Sequence, residues 1–206
     1  GVVLMVYINK KILKLDAQGQ PQAWISRYSA AIYYAKNLIA AEYGNPLYTL
    51  YGGWNNAGIQ STLEINSIIQ VSSECGTGFT KKRLKPKLSK AAVFNRDAKT
   101  CAYCGKLYTL TDLTWDHIVP ISKSGPTIWE NLITSCRRCN HFKGNKTIED
   151  VGYHQYFTAF RPTLSEFLYI SNHRMLNEQE EFLIGYISQK SRIFTCREIY
   201  KDLLEV

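Results

Sequence analysis

The 206-residue sequence predicts an α+β chain built around a cysteine-bracketed strand, strand, helix finger, with a small α+β domain before it and a helical region after it. Three observations lead there. Two Cys-x-x-Cys pairs, Cys101/Cys104 and Cys136/Cys139, bracket the segment CAYCGKLYTLTDLTWDHIVPISKSGPTIWENLITSCRRC. Between them, runs at 113–119 and 132–135 have strand length and are separated by Pro120, and a helical pattern then runs from 137 to Gly144. Outside the finger, strand-length runs surround one helical stretch before residue 81, and helix-start signals recur after 147.

In chain order, residues 2–8 and 11–15 read as strands joined at Asn9-Lys10. A helix is expected from 26 to 43, ending at Gly44 with Pro46 beyond it. Runs 47–51 and 61–71 then read as strands around the turn-rich GGWNNAG. Asn55 and Asn56 in that loop are able to read base edges, although turn chemistry explains them equally well. Aromatics such as Tyr33 and Tyr34 have helical spacing and belong in a core more often than on a stacking platform.

The stretch KKRLKPKLSK, 81–90, holds six basic residues and no acidic one, and Pro86 interrupts any helix in it. It therefore reads as a basic linker at 81–92, dividing an N-terminal domain (1–80) from a finger domain (93–147). A short helix is expected over 91–97. In the region 148–206, Thr147/Asp150, Thr163/Glu166, Asn177/Glu180 and Thr195/Glu198 each place a capping side chain three residues before an acid. Apolar residues Phe182, Ile184 and Ile187 follow the third pair. That tail is suited to packing on the N-terminal domain or to forming a homodimer.

Composition sets the bounds. With 45% hydrophobic and 20% charged residues the chain is of ordinary globular type, and no apolar run approaches the roughly 18 residues of a membrane span. The run at 2–8 lacks the features of a secretory signal, so with cysteines spaced for metal an intracellular location is expected. The net charge of +8 is concentrated in 81–90 and in the finger, while 148–206 is net negative. A polyanion is the natural partner for such a patch, through counterion release from phosphates.

The finger carries the chemistry. A tetrahedral zinc site needs four soft ligands, and each Cys-x-x-Cys turn presents two thiolates. Four thiolates leave no open position for water, so this zinc would be structural. The strand and the helix would then turn Asp116 and Asn140 toward one cleft.

The combination Cys-x-x-Cys, Asp-His-Ile-x-Pro, Glu-Asn-Leu and Cys-x-x-Cys-Asn-x-x-Lys-Gly resembles the HNH endonuclease family, whose ββα-metal finger is often braced by such a zinc. The resemblance covers about a quarter of the chain and places the three motif positions on His117, Asn131 and Asn140. It implies a DNA endonuclease of phage or bacterial type, in restriction, homing or another role. It also implies the cytoplasm of a bacterial or phage-infected cell. The reaction implied is hydrolysis to 5′-phosphate and 3′-hydroxyl ends.

Roles can be argued beside the resemblance. Imidazole titrates near neutrality, which suits His117 to take a proton from water. A hard cation such as Mg²⁺ or Mn²⁺ prefers oxygen ligands and keeps several waters, as Asp116 and Asn140 would allow. Asn131 has a donor and an acceptor to tie the loop between the strands or to hold the imidazole. His141 competes with Asn140, but neighbours on a helix point about 100° apart, so one of them faces Asp116. Lys81, Lys82, Arg83, Lys85, Lys87, Arg137, Arg138 and Lys143 are the candidate DNA contacts, Lys143 lying on the same helix face as Asn140. A zinc module that binds nucleic acid without cutting it is the alternative reading of the same scaffold.

Overall fold

The computed structural model of the chain describes residues 9–74 and 85–194. Along the chain come β1 (Ile12–Leu15), β2 (Pro21–Ile25), α1 (Arg27–Ala35), β3 (Ile39–Trp54), β4 (Gln60–Val71), α2 (Lys90–Arg96), β5 (Leu113–His117), β6 (Leu132–Cys136), α3 (Arg137–Lys143), α4 (Leu164–Ser171) and α5 (Asn177–Ile184). They divide into two units, 9–74 with Asn172–Ile187, and 85–171 with 188–194. The C-terminal region is thus shared between the units.

In the first unit the sheet order is β2-β1-β4-β3, with β1 parallel to β4 and the other pairs antiparallel. Strand β1 has a neighbour on each edge and every residue of it is buried. Ile12, Ala30, Ile65 and Ile69 form the core between the sheet and α1. Gln179 of α5 is fully buried, and its amide nitrogen donates to the Lys11 carbonyl at 2.9 Å and the Ser67 carbonyl at 2.8 Å.

One expectation is corrected here. The helix expected over 26–43 stops at Ala35, and Ile39 to Tyr43 belong to β3. Ser26 starts the helix, its Oγ accepting from Ser29 N at 3.1 Å, while Asn37 turns the chain out with φ 54°. Ile39 and Tyr43 then pair with Val71 and Ile68, so ladder pairing against a buried strand outweighs helix propensity. Strand β2 had no sequence expectation at all. At the β3–β4 turn, Asn55 Oδ1 accepts from Ala57 N at 3.0 Å and Ile59 N at 2.9 Å, so that oxygen serves the turn. The strand expected at 2–8 lies outside the described residues.

In the second unit, β5 and β6 form the two-stranded ladder, with Asp116 opposite Ile133 and His117 opposite Leu132. All of β6 is buried, and its other edge is covered without a third strand. The Asp97 carboxylate accepts from Thr134 N at 2.9 Å, and Ala102 N donates to the Thr134 carbonyl at 2.9 Å. Arg96, fully buried, holds Asp97 with two bonds of 2.8 and 2.9 Å and donates to the carbonyls of Trp129, Leu132 and Phe160. All five of its N–H groups are used, which is the condition for burying a guanidinium at tolerable cost. Helix α2 is thereby pinned to the base of the finger.

The tail signals have mixed outcomes. Thr163 and Glu166 cap one another's backbone N–H and open α4. Thr147 and Asp150 make the same reciprocal bonds, yet only turns follow, and Gly152 reverses the chain at φ 66°. Before α5, it is Gln179 Oε1 that accepts from Leu176 N, at 3.0 Å, and the buried apolar residues are Leu183 and the expected Ile187, while Ile184 is exposed. Thr195 and Glu198 lie outside the described residues.

Candidate active site and metal centre

The four cysteines come from one turn and one helix start. Cys101 and Cys104 flank a turn closed by Gly105 N donating to the Cys101 carbonyl at 2.9 Å. Cys136 ends β6 and caps α3, its Sγ accepting from Cys139 N at 3.4 Å. All four are free thiols, and their Sγ atoms lie within 4.8 Å of one another. Four thiolates on a zinc ion, each about 2.3 Å from it, require about this spacing, so the set fits a structural zinc.

Burial pushes the Cys101 thiol up, and burial followed by the Cys136 contact does the same to Cys139. At Cys136 burial works the same way but is outweighed by hydrogen bonds, first from Cys139 N–H and then from Tyr108, which bring it down to about 7. Several buried thiolates in contact repel one another, and a bound divalent cation removes that repulsion.

Beside this cluster an open cleft of about 360 Å³ is lined by Asp116, His117, Pro120, Asn140 and Gly144 among others. Asp116 and His117 end β5, and Pro120 turns the chain away. Asn140 comes from α3, which stops at Gly144 with φ 55°. His141, the competitor for the third position, is exposed on the helix surface.

Each side chain has a defined setting. Asp116 is buried and accepts from the Tyr103 hydroxyl. Burial first, and the Asp116 charge second, push that hydroxyl far up, so it remains a donor. Lys143 Nζ lies 3.0 Å from Asp116 Oδ2 and 3.2 Å from Oδ1, and donates to the His117 carbonyl at 2.7 Å. His117 Nε2 is 3.0 Å from Thr127 Oγ1. Asn140 Nδ2 donates to Thr114 Oγ1 at 2.8 Å, which leaves Oδ1 as an acceptor. Asp116, buried with both its oxygens engaged, and that Asn140 oxygen line the open cleft, and oxygen donors of this kind are the type a hard divalent cation takes.

The Asn131 amide spends its hydrogen bonds on the loop backbone rather than on the imidazole. Its Oδ1 accepts from Val119 N at 2.9 Å, and Nδ2 donates to the carbonyls of Val119 at 3.1 Å and Pro126 at 2.8 Å. The loop from 118 to 131 closes tightly at Gly125, where a Cβ would lie 1.8 Å from the Val119 carbonyl oxygen.

The basic candidates separate. Lys85, Lys87 and Arg138 are exposed, and Arg137 is exposed with its guanidinium donating to the Thr111 carbonyl at 3.0 and 2.8 Å. Lys81, Lys82 and Arg83 lie outside the described residues. Lys143, expected to meet a phosphate, is instead 1% exposed, because the Asp116 carboxylate and the His117 carbonyl draw its ammonium inward.

Sequence reasoning passed over Tyr103, Thr114 and Thr127. Tyr103 left a signal, a hydroxyl inside the first cysteine turn, whereas nothing local marks the two threonines.

Residues 101–146 match the HNH endonuclease family. Over 46 residues the chain is 50% identical to the CRISPR-associated endonuclease Cas9 of Corynebacterium diphtheriae, a match that covers 22% of this chain and 4% of that protein. The stretch that holds the four cysteines, Asp116, His117, Asn131 and Asn140 is an HNH endonuclease domain.

Proposed function

We propose that this chain is a metal-dependent DNA endonuclease that hydrolyses phosphodiester bonds in the cleft between β5 and α3. The observation that carries the reading is that Asp116, His117 and Asn140 line one open cleft beside four thiols spaced for zinc. In the tautomer in which His117 Nε2 donates to Thr127 Oγ1, Nδ1 carries the lone pair that takes a proton from the attacking water. Asp116 and Asn140 Oδ1 would hold Mg²⁺ or Mn²⁺, which would supply positive charge to neutralise the scissile phosphate and the departing 3′ oxygen. Asn131 keeps the loop after His117 closed, which sets the ring's position without contact to substrate. Lys85, Lys87 and Arg138 add affinity for the DNA backbone without reading sequence. One finger cuts one strand, so a double-strand break takes two protomers or two successive nicks.

The test is incubation of supercoiled plasmid with the zinc-loaded chain and Mg²⁺ or Mn²⁺, alongside His117→Ala. Nicked or linear product from the wild type, reduced by about 10²-fold or more in the variant, is the expected result. Intact plasmid with both metals, despite DNA binding, transfers the reading to a zinc module that binds without cutting.

A further inference from the structure

Lys143 is a buried charge for which the proposed reaction has no use. Its side chain is fully buried, and its ammonium contacts both oxygens of Asp116. Asp116 is the only acidic side chain lining the cleft among the described residues. Helix α3 explains the arrangement: positions three apart share a face, so Asn140 and Lys143 are delivered together toward the end of β5. An ammonium in such a place is costly unless paired, and an unpaired buried carboxylate is equally so. Tyr103 supplies Asp116 with a hydrogen bond but no charge.

We propose that Lys143 is the resident countercharge of the cation site: it holds Asp116 while no divalent cation is bound, and it sets how tightly one binds. The inference rests on the reading that Asp116 is a cation ligand. Once a divalent cation engages the carboxylate, that group is shared by two positive charges a few ångströms apart in a partly buried setting, where their repulsion is weakly screened. Removing the ammonium relieves that repulsion and leaves the cation-free carboxylate uncompensated, and both changes favour the cation. A merely structural lysine predicts the opposite, since a loosened site binds more weakly. Lys143 is therefore a positioning residue with an electrostatic effect on metal affinity.

The experiment is calorimetric titration of the zinc-loaded full chain with Mn²⁺, without DNA. Lys143→Met is expected to tighten the Kd by about tenfold, equivalent to ~1.4 kcal/mol. Lys143→Arg, which keeps the charge, should stay near wild type, and Asp116→Asn added to Lys143→Met should abolish the gain. In melting experiments Mn²⁺ should raise the Tm of Lys143→Met more than that of wild type. If Lys143→Met does not fold, Lys143→Gln, which retains a donor for the His117 carbonyl, is titrated and judged in the same way. A Kd that is unchanged or weaker in the folded variant overturns the inference, as does a gain that survives Asp116→Asn or the absence of Mn²⁺ binding in every form. Plasmid cleavage with an unchanged Kd sinks this inference alone, whereas uncut plasmid sinks the nuclease reading.

Discussion

Asn131 holds Val119 from both sides of its backbone, accepting from its N–H at 2.9 Å and donating to its carbonyl at 3.1 Å. An amide side chain so placed does the work of a neighbouring strand for a loop that has none. The consequence is a fixed exit from His117 to Pro120, and with it a fixed wall of the cleft.

Asn131→Ala leaves those backbone groups without partners. It should cost about 1–3 kcal/mol of stability in denaturant melts. Cleavage should fall as well, since the loop after His117 loosens. A melting curve identical to wild type would show that the loop closes without the amide.

The four-cysteine set should bind about one zinc ion per chain. Chelation, or Cys136→Ser, should lower the Tm substantially, because Cys136 caps α3 and belongs to the set that fits zinc. Zinc content measured beside the melting curves checks the pairing of the two effects. Unchanged melting after complete zinc removal would contradict a structural site.

Alkaline pH tests Tyr103. Its folded-state pKa lies above that of an unfolded tyrosine, which is about 10. The folded chain therefore keeps a proton that the unfolded chain loses. Stability from this group is full below about pH 10 and declines as pH rises past it. Tyr103→Phe should flatten that decline in denaturant melts on either side of this pH. It should not abolish it, because burial, followed by the nearby Cys139, also lifts Tyr153, to about 12. An alkaline decline of equal steepness in the variant would refute the assignment.

Thr127 is exposed, so Thr127→Val should leave the melting temperature unchanged. The same change removes the partner of His117 Nε2 and should slow cleavage by about tenfold or more, with Thr127→Ser retaining activity. Equal rates for the valine and serine variants would show that the imidazole keeps its orientation unaided.

Neutralising the basic residues of 81–90 should flatten the salt dependence of DNA affinity, the slope falling by about 0.9 on duplex DNA for each phosphate that is no longer neutralised. A slope equal to wild type would leave that stretch as a linker only.

The finger was legible because its signals are local. Pro120 stops β5, an apolar run makes β6, Gly144 closes α3, and each Cys-x-x-Cys pair constrains a single turn. The stretch at 39–43 was misread because its spacing suits a helix or a strand. Only the pairing of Ile39 and Tyr43 with β4 decides between them. The Thr147/Asp150 pair was a start signal with no helix behind it, which shows that a cap stabilises a helix but does not create one.

By itself the sequence determined which side chains were available for chemistry, and that four thiols could meet at one point, since both follow from residue identity and short spacing. Tertiary structure alone decided how those side chains are partnered. A lysine on a short helix reads as a solvated charge until Asp116, 27 residues away, is seen to bury it. An asparagine reads as a possible imidazole partner until the loop it closes is seen. The physical reason is that burial and pairing energies depend on neighbours brought together by folding, and no local pattern encodes distances across the chain.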